Sequence, residues 1–208
     1  MAYSVGLMAS DGCLQSDNRH LDLTSVDIEQ LKNFSRAIGR ELPISTKRNK
    51  SKVDAFRIQF SDVSYYDFLL KTGLTPKKSK TIGHLNVPDI YYSHFLRGLF
   101  DGDGTTYGYF DPRWKDSFMY YISIGSASKN FLQYISLQNM RLFGVKNRSI
   151  NRTTRAYILS YAKKDSYILY KEMYKNSHNL FLHRKYNKLE NFIKQNGDAI
   201  IQSNARVP

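Results

Sequence analysis

Asp11 and Asp103 are the residues of this chain best suited to chemistry. Each closes a segment of the same layout, Ser4-Val5-Gly6-Leu7-Met8-Ala9-Ser10-Asp11-Gly12 and Leu96-Arg97-Gly98-Leu99-Phe100-Asp101-Gly102-Asp103-Gly104, offset by 92 residues. Both segments read as short helices that stop at Asp-Gly. A carboxylate at that end faces the negative pole of the helix macrodipole. One Asp-Gly is ordinary turn chemistry. The same unfavourable placement made twice, on a strongly basic chain, suggests a nearby cation. Hard divalent ions such as Mg2+ take carboxylate oxygens together with waters and phosphate oxygens, so the two acids read as a metal site, and Asp101 adds a further acid to the later copy. The small residues four apart, Gly6/Ser10 and Gly98/Gly102, share a helix face. Two backbones can approach closely there, and helices packed side by side would bring Asp11 and Asp103 together.

The elements that must hold these acids repeat as well. Leu21–Ser25 lines up with Ile122–Ser126. The helical patterns Ile28, Leu31, Phe34, Ile38 with Gly39 and Phe131, Ile135, Met140, Phe143 with Gly144 come next. Phe56–Phe60 then matches Tyr157–Tyr161, and the basic cluster Pro76–Lys80 matches His183–Lys188. Matched features in one order indicate a tandem duplication. Each unit starts with a helix that ends at Asp-Gly, with glycine in the left-handed position that closes a helix. Alternating segments follow at 13–17 and 19–25, and at 105–111 and 118–126. After the glycine-closed helix, a second hairpin is expected at 42–48 and 53–61, and at 146–152 and 155–162, then a helix at 62–72 and 164–176. The pattern αββαββα, made twice, predicts an α+β fold of two pseudo-symmetric units with helices on one side of antiparallel sheets. The first repeat spans 1–89 and the second 90–196, with the boundary near Pro88, and 197–208 reads as a polar, frayed tail.

Composition sets the class of partner. The 208 residues include 31 Lys+Arg and 18 Asp+Glu, a formal net charge of +13, with 41% hydrophobic and 14% aromatic residues. That apolar content supports a buried core and argues against a disordered chain. The positive surplus favours a polyanion, nucleic acid before an anionic membrane face. It is uneven: residues 1–89 carry 13 basic and 10 acidic side chains, residues 90–208 carry 18 and 8. The second half is therefore expected to grip a polyanion more tightly and to set most of the salt dependence. The single Cys13 excludes an internal disulfide and a four-cysteine zinc site, and fits a reducing compartment. His20, His84, His94, His178 and His183 lack zinc spacing. No apolar run approaches the roughly 18 residues of a membrane span, and the first ten residues lack a basic leader. The expectation is an intracellular protein of the cytoplasm, nucleoid or an organelle matrix, with no membrane partner.

Alternation splits each predicted strand into a core row and an outward row. Leu21, Leu23, Ile122 and Ile124 fall on the core row, and His20, Asp22, Thr24, Tyr121 and Ser123 on the outward one. Gln15 and Asp17 parallel Tyr107, Tyr109 and Asp111, while Arg57, Gln59, Ser160, Arg148 and Arg152 extend the row through the later hairpins. A sheet with one polar, basic face can lie in the DNA major groove, where Arg suits guanine and Gln suits adenine. Lys47, Arg48 and Lys50, in the hairpin tip 47–52, are better placed for phosphates. The tyrosine pairs 65/66, 91/92 and 120/121 read as amphipathic core.

Phe95–Gly104 resembles the signature of the LAGLIDADG homing endonucleases, and Val5–Gly12 resembles it more loosely, with Ala9 in place of the motif's first acid and a shortened first helix. The layout is similar to that of the monomeric, double-motif members over nearly the whole chain, and Thr75–Lys80 resembles their basic segment. The resemblance implies two four-stranded sheets straddling duplex DNA as a saddle, with the motif helices at the centre. It implies Asp11 and Asp103, beside Gly12 and Gly104, as a metal site sharing two or more Mg2+ ions, with Mn2+ able to substitute and Ca2+ binding without supporting cleavage. It implies hydrolysis of both strands with short 3′ overhangs, Lys78 and Lys185 offsetting phosphate charge (Lys77 and Arg184 beside them), and Ser25 and Ser126 orienting water. Two rivals share the saddle: an RNA maturase acting on its host intron RNA, and a DNA-binding regulator without cleavage. Regulators of this ancestry carry an added helix-turn-helix domain, for which 208 residues leave no room. Retention of both acids favours the nuclease.

Overall fold

A computed structural model describes residues 1–47, 55–113, 117–146 and 148–204, with the backbone alone over 196–204. The first unit runs α1 (Ala2–Ser10), β1 (Gly12–Leu14), β2 (His20–Ser25), α2 (Ile28–Ile38), β3 (Ile44–Lys47), β4 (Ala55–Ser61) and α3 (Val63–Thr72). The second runs α4 (Tyr92–Asp103), β5 (Gly104–Phe110), β6 (Phe118–Ser126), α5 (Lys129–Phe143), β7 (Arg148–Arg152), β8 (Tyr157–Ala162) and α6 (Lys163–Tyr174). This is the αββαββα order read from the repeat, twice. A further helix, α7 (His183–Asn204), closes the chain, and short 3-10 turns lie at Lys78–Lys80 and Asp89–Tyr91.

Period-two burial explains the sheets. Leu21 and Leu23 on β2 pair with Phe60 and Ile58 on β4, and Ile122 and Ile124 on β6 pair with Tyr161 and Leu159 on β8. All eight side chains are buried against helices, each worth about 1.5–3 kcal/mol of transfer free energy for the aliphatic ones. Both sheets are antiparallel and four-stranded, in the matching orders β1-β2-β4-β3 and β5-β6-β8-β7. The pair Tyr120/Tyr121 is divided by the same alternation, Tyr120 buried and Tyr121 half-buried on the opposite face.

Gly39 and Gly144 close α2 and α5 with φ of 69° and 70°, the left-handed cap their positions predict. The Asp-Gly ends differ from expectation. Asp11 caps α1 at φ −90°, ψ −10°, and Gly104 follows α4 in extended backbone at φ −81°, ψ 149°. Glycine is needed there for room instead: a Cβ would fall 2.5 Å from Met8 Sδ at Gly12, and 2.2 Å from the Phe100 ring at Gly104. Each strand thus folds straight back over the helix it leaves.

The basic cluster His183–Lys188 opens α7, which continues through Gly197 to Asn204, into the stretch expected as a frayed tail. Its entry ties the units together. Asp101 Oδ2 accepts hydrogen bonds from Tyr3 Oη at 2.7 Å and from the Leu182 amide at 2.9 Å. Asn33 Nδ2 donates to the Phe181 carbonyl at 2.8 Å, and Arg184 Nη2 to Asp27 Oδ2 at 2.6 Å. Asp101 is 1% exposed, so the first acid of the later motif is a structural clasp. Among the described residues, no helix is long and apolar enough to cross a membrane.

Candidate functional site

Two glycine-notched helices set the site. A Cβ on Gly6 would lie 2.2 Å from the Phe95 carbonyl oxygen, and one on Gly98 2.1 Å from that of Tyr3, so only hydrogen fits where α1 meets α4. At their C-terminal ends a Cβ on Gly102 would fall 1.9 Å from Ser10 Oγ and 3.1 Å from Asp11 Oδ2. Asp11 therefore stands over the end of the opposing helix, beside Asp103. Asp103 is exposed by area yet crowded by its neighbours; that burial first, and the Asp11 charge second, push its pKa up to about 6, with the solvent it retains offsetting part of the effect. Burial also raises Asp11, against the pull of a Gln30 hydrogen bond.

Each acid has a lysine beside it. Lys78, buried on its 3-10 turn, donates from Nζ to the Gly12 carbonyl at 2.5 Å. Lys185, in the first turn of α7, donates to the carbonyls of Phe100, Gly102 and Gly104 at 2.9, 2.8 and 2.6 Å. The Phe100 carbonyl also accepts from the Gly104 amide, and a cation at this helix end compensates the negative pole that the acids face. Burial lowers both lysine pKa values, that of Lys185 to about 8, while the motif acids pull the other way.

The remaining partners differ between halves. Gln30 Nε2 donates to Asp11 Oδ2 at 2.6 Å, and Ser25 Oγ donates to Gln30 Oε1 at 2.8 Å. Ser126 instead accepts from the Ser128 amide at 3.1 Å, and Phe131 occupies the position corresponding to Gln30. Gln30 escaped the sequence reading; its signal was a polar side chain on the buried face of an otherwise apolar helix, five residues after Ser25.

The donor set suits a hard cation. Two carboxylates converge at carbonyl-rich helix ends, and the described residues contain no group of three or more His, Cys, Asp or Glu that could hold an ion. A divalent ion of the Mg2+ or Mn2+ kind completes its shell with waters and phosphate oxygens, so Asp11 and Asp103 fit it; Gly12 and Gly104 contribute position, their carbonyls being taken by the lysines.

Residues 91–175 match the family model described as a LAGLIDADG-like domain. That segment is similar to a LAGLIDADG-like domain. No curated protein matches the sequence. Among solved structures, the homing endonuclease I-WcaI bound to its DNA recognition sequence aligns over 91% of this chain and 86% of its own, at 15% identity and a TM-score of 0.63. Full-length DUF199/WhiA from Thermatoga maritima aligns over 99% of this chain and 67% of its own, at 16% identity and a TM-score of 0.59. I-DmoI in complex with DNA and Mn aligns over 85% and 96%, at 15% identity and a TM-score of 0.52. At such identities the likeness is one of fold, the two-unit LAGLIDADG fold.

In this LAGLIDADG frame the sheet registers sort the predicted outward row. In the first sheet, His20, Asp22 and Thr24 pair with Ser61, Gln59 and Arg57, so all share the face opposite the helices. Gln15, Asp17, His20 and Gln59 line one open cleft on it. Asp22 is buried by its ion pair with Arg57, and Asp17 pairs with His20. Lys47 falls in the same phase, opposite Ala55; Arg48 and Lys50 lie outside the described residues. In the second sheet Tyr107 and Tyr121 are directly paired, Tyr109 stands one step along, and Ser123 bonds Ser160 at 2.8 Å. Arg148 and Arg152 do not join them. Their partners are Tyr161 and Tyr157, in phase with the buried Leu159, and the outward positions of β7 are Ser149 and Asn151. The reading was out of phase by one residue, which exchanges the faces of a strand. Asp111, aligned with the same row by sequence, is buried and bound by Arg113 at the hairpin turn.

Proposed function

We propose that this protein is a site-specific double-strand DNA endonuclease of the homing type, acting as a monomer and dependent on a divalent metal, with Mg2+ the natural ion. The observation that carries this reading is the convergence of Asp11 and Asp103 between two outward-facing sheets, each acid with a lysine from its own unit. A bound hard divalent ion supplies Lewis acidity, polarising the phosphate and lowering the pKa of coordinated water. Water adds to phosphorus, the bridging oxygen leaves, and both strands are cut to leave short 3′ overhangs. Asp11 and Asp103 would hold such an ion. Lys78 has one donor engaged within the protein and an ammonium carries three, so it retains donors for a phosphate oxygen. Lys185 spends three donors on carbonyls and serves by fixing the end of α4.

Duplexes carrying randomised sites, and the intronless allele where the gene lies within an intron, are to be incubated with Mg2+ or with Ca2+. The expected result is one double-strand cut with Mg2+, binding alone with Ca2+, and a loss of about 10³-fold or more in Asp103→Asn. Unchanged metal-dependent cutting in Asp103→Asn would exclude the two-acid site. A second reading, binding without cleavage, is favoured by the Gln30 amide occupying Asp11 Oδ2. Sequence-selective binding with no cut under Mg2+ or Mn2+ supports it.

A further inference from the structure

The outward faces of the two sheets differ in kind. The first carries Asp22, Arg57, His20 and Lys47 at ladder positions. On the second, the outward ladder positions hold no charged side chain among the described residues. Among the described residues, the cations of the second half stand on helices, turns and the other face.

What replaces charge is a ladder of tyrosines. The Tyr107 and Tyr121 rings lie 4.9 Å apart at 9°, and Tyr109 and Tyr121 lie 6.1 Å apart at 11°. The hydroxyls of Tyr109 and Tyr121 are 3.4 Å apart, and Tyr107 and Tyr109 are each 45% exposed. Three near-parallel rings hold one another upright, so little side-chain entropy remains to be lost when they are covered. Stacked rings exposed on an outward sheet face offer a rigid apolar contact surface. Its position points to an occupant: the row lies on β5, which begins directly after Asp103, and at about 3.4 Å per residue Tyr107 and Tyr109 lie about 14 and 20 Å along the strand from the acid.

Resting on the nuclease reading above, we propose that Tyr107, Tyr109 and Tyr121 recognise thymine methyl groups in the half-site gripped by the second unit. The 5-methyl of thymine is the apolar feature of the major-groove edge, and uncharged rings release no counterions when they meet it. At a rise of 3.4 Å per base pair, the contacted thymines fall about four to six base pairs from the scissile phosphate. Among the described residues the ion-paired first sheet has no matching apolar surface, so the other half-site should be read by hydrogen bonds.

The test uses the full chain in Ca2+ and duplexes selected by binding from a randomised pool. Each thymine is replaced singly by deoxyuridine, which removes only the methyl, and affinity is measured at two salt concentrations. In the wild type, one or more replacements four to six base pairs from the centre of one half-site should weaken binding about fourfold, the worth of one buried methyl, without changing the salt slope. Tyr107→Ser and Tyr121→Ser should bind the thymine duplex as weakly as wild type binds the deoxyuridine one, and should no longer distinguish the two. Photo-crosslinking from 5-iodouracil at those positions should label Tyr107, Tyr109 or Tyr121. Equal affinity for every deoxyuridine duplex, or crosslinks confined to the first sheet, would overturn the proposal while leaving DNA binding intact. If no duplex is selected at all, it is the nuclease reading that fails. Circular dichroism melts on both variants separate loss of contact from loss of fold.

Discussion

The two halves of the site are built from the same parts and wired in opposite ways. In the first, the acid is held and the lysine retains donors: Gln30 fixes Asp11 at 2.6 Å, while Lys78 makes one bond to a carbonyl at 2.5 Å. In the second, Phe131 stands where Gln30 does, and Lys185 is bound to three carbonyls between 2.6 and 2.9 Å. One half commits its acid and the other its cation. Duplication therefore preserved topology, which the core requires, while the polar contacts around each acid diverged, because a buried network needs only that its members be satisfied.

The largest expected effect separates the lysines. Lys78→Met should lower cleavage by about 10²-fold or more, the usual loss when one donor to developing charge is removed, with a smaller change in stability. Lys185→Met should act chiefly on the fold. It removes three hydrogen bonds to carbonyls at the end of α4, at a cost of about 2–3 kcal/mol in a urea melt. Single-turnover rates and melts on both variants check the contrast, and equal losses of rate with equal losses of stability would remove it.

Next in size is the response to pH. The folded pKa of Asp103 is about 6, above the ordinary carboxylate value, so the fold favours its protonated form. Stability from this group is fully present below about pH 4 and is lost as pH rises through about 6. Asp101, also raised to about 6 by burial, acts in the same window. The metal-free protein should thus become less stable between pH 4 and 6.5, and Asp103→Asn should make that decline shallower without abolishing it. Ca2+ should restore stability above pH 6, where the acids are ionised, and not at pH 4.5. A thermal melt series across this range, with and without Ca2+, decides it. A decline unchanged in Asp103→Asn would place the pH response elsewhere.

What could be read in the sequence follows from the same division. Period-two rows and the glycines of the helix crossing are dictated by backbone geometry, and they placed both sheets and brought Asp11 to Asp103. The side-chain wiring is not periodic. Gln30 reaches Asp11 across 19 positions, and no local pattern marks such a bond. β7 misled because Arg148 and Arg152 alternate as an outward row would, while Ile150 between them shares their face; with a single apolar residue in the strand, its phase was ambiguous. The helix α7 was obscured by its own basic start, although Leu182, Tyr186, Leu189 and Ile193 recur at helical spacing.

The smallest predicted effect tests whether the two serines are equivalent, as their matched positions suggest. Ser25 Oγ donates to Gln30 Oε1, so it fixes which end of that amide faces Asp11. Without it the amide can rotate and present oxygen to the carboxylate. Ser126 bonds only the backbone at the start of α5, and no amide lies between it and Asp103. Ser25→Ala should therefore weaken Mn2+ or Ca2+ binding, read by calorimetry, by about threefold, less than the 10-fold or more usual for a direct outer partner of a metal ligand. Gln30→Leu should exceed it, and the double variant should match Gln30→Leu alone, because Ser25 acts through the amide. Ser126→Ala should leave metal affinity unchanged. Equal effects of the two serines would mean that the halves share a water-orienting role and that the Gln30 contact is incidental.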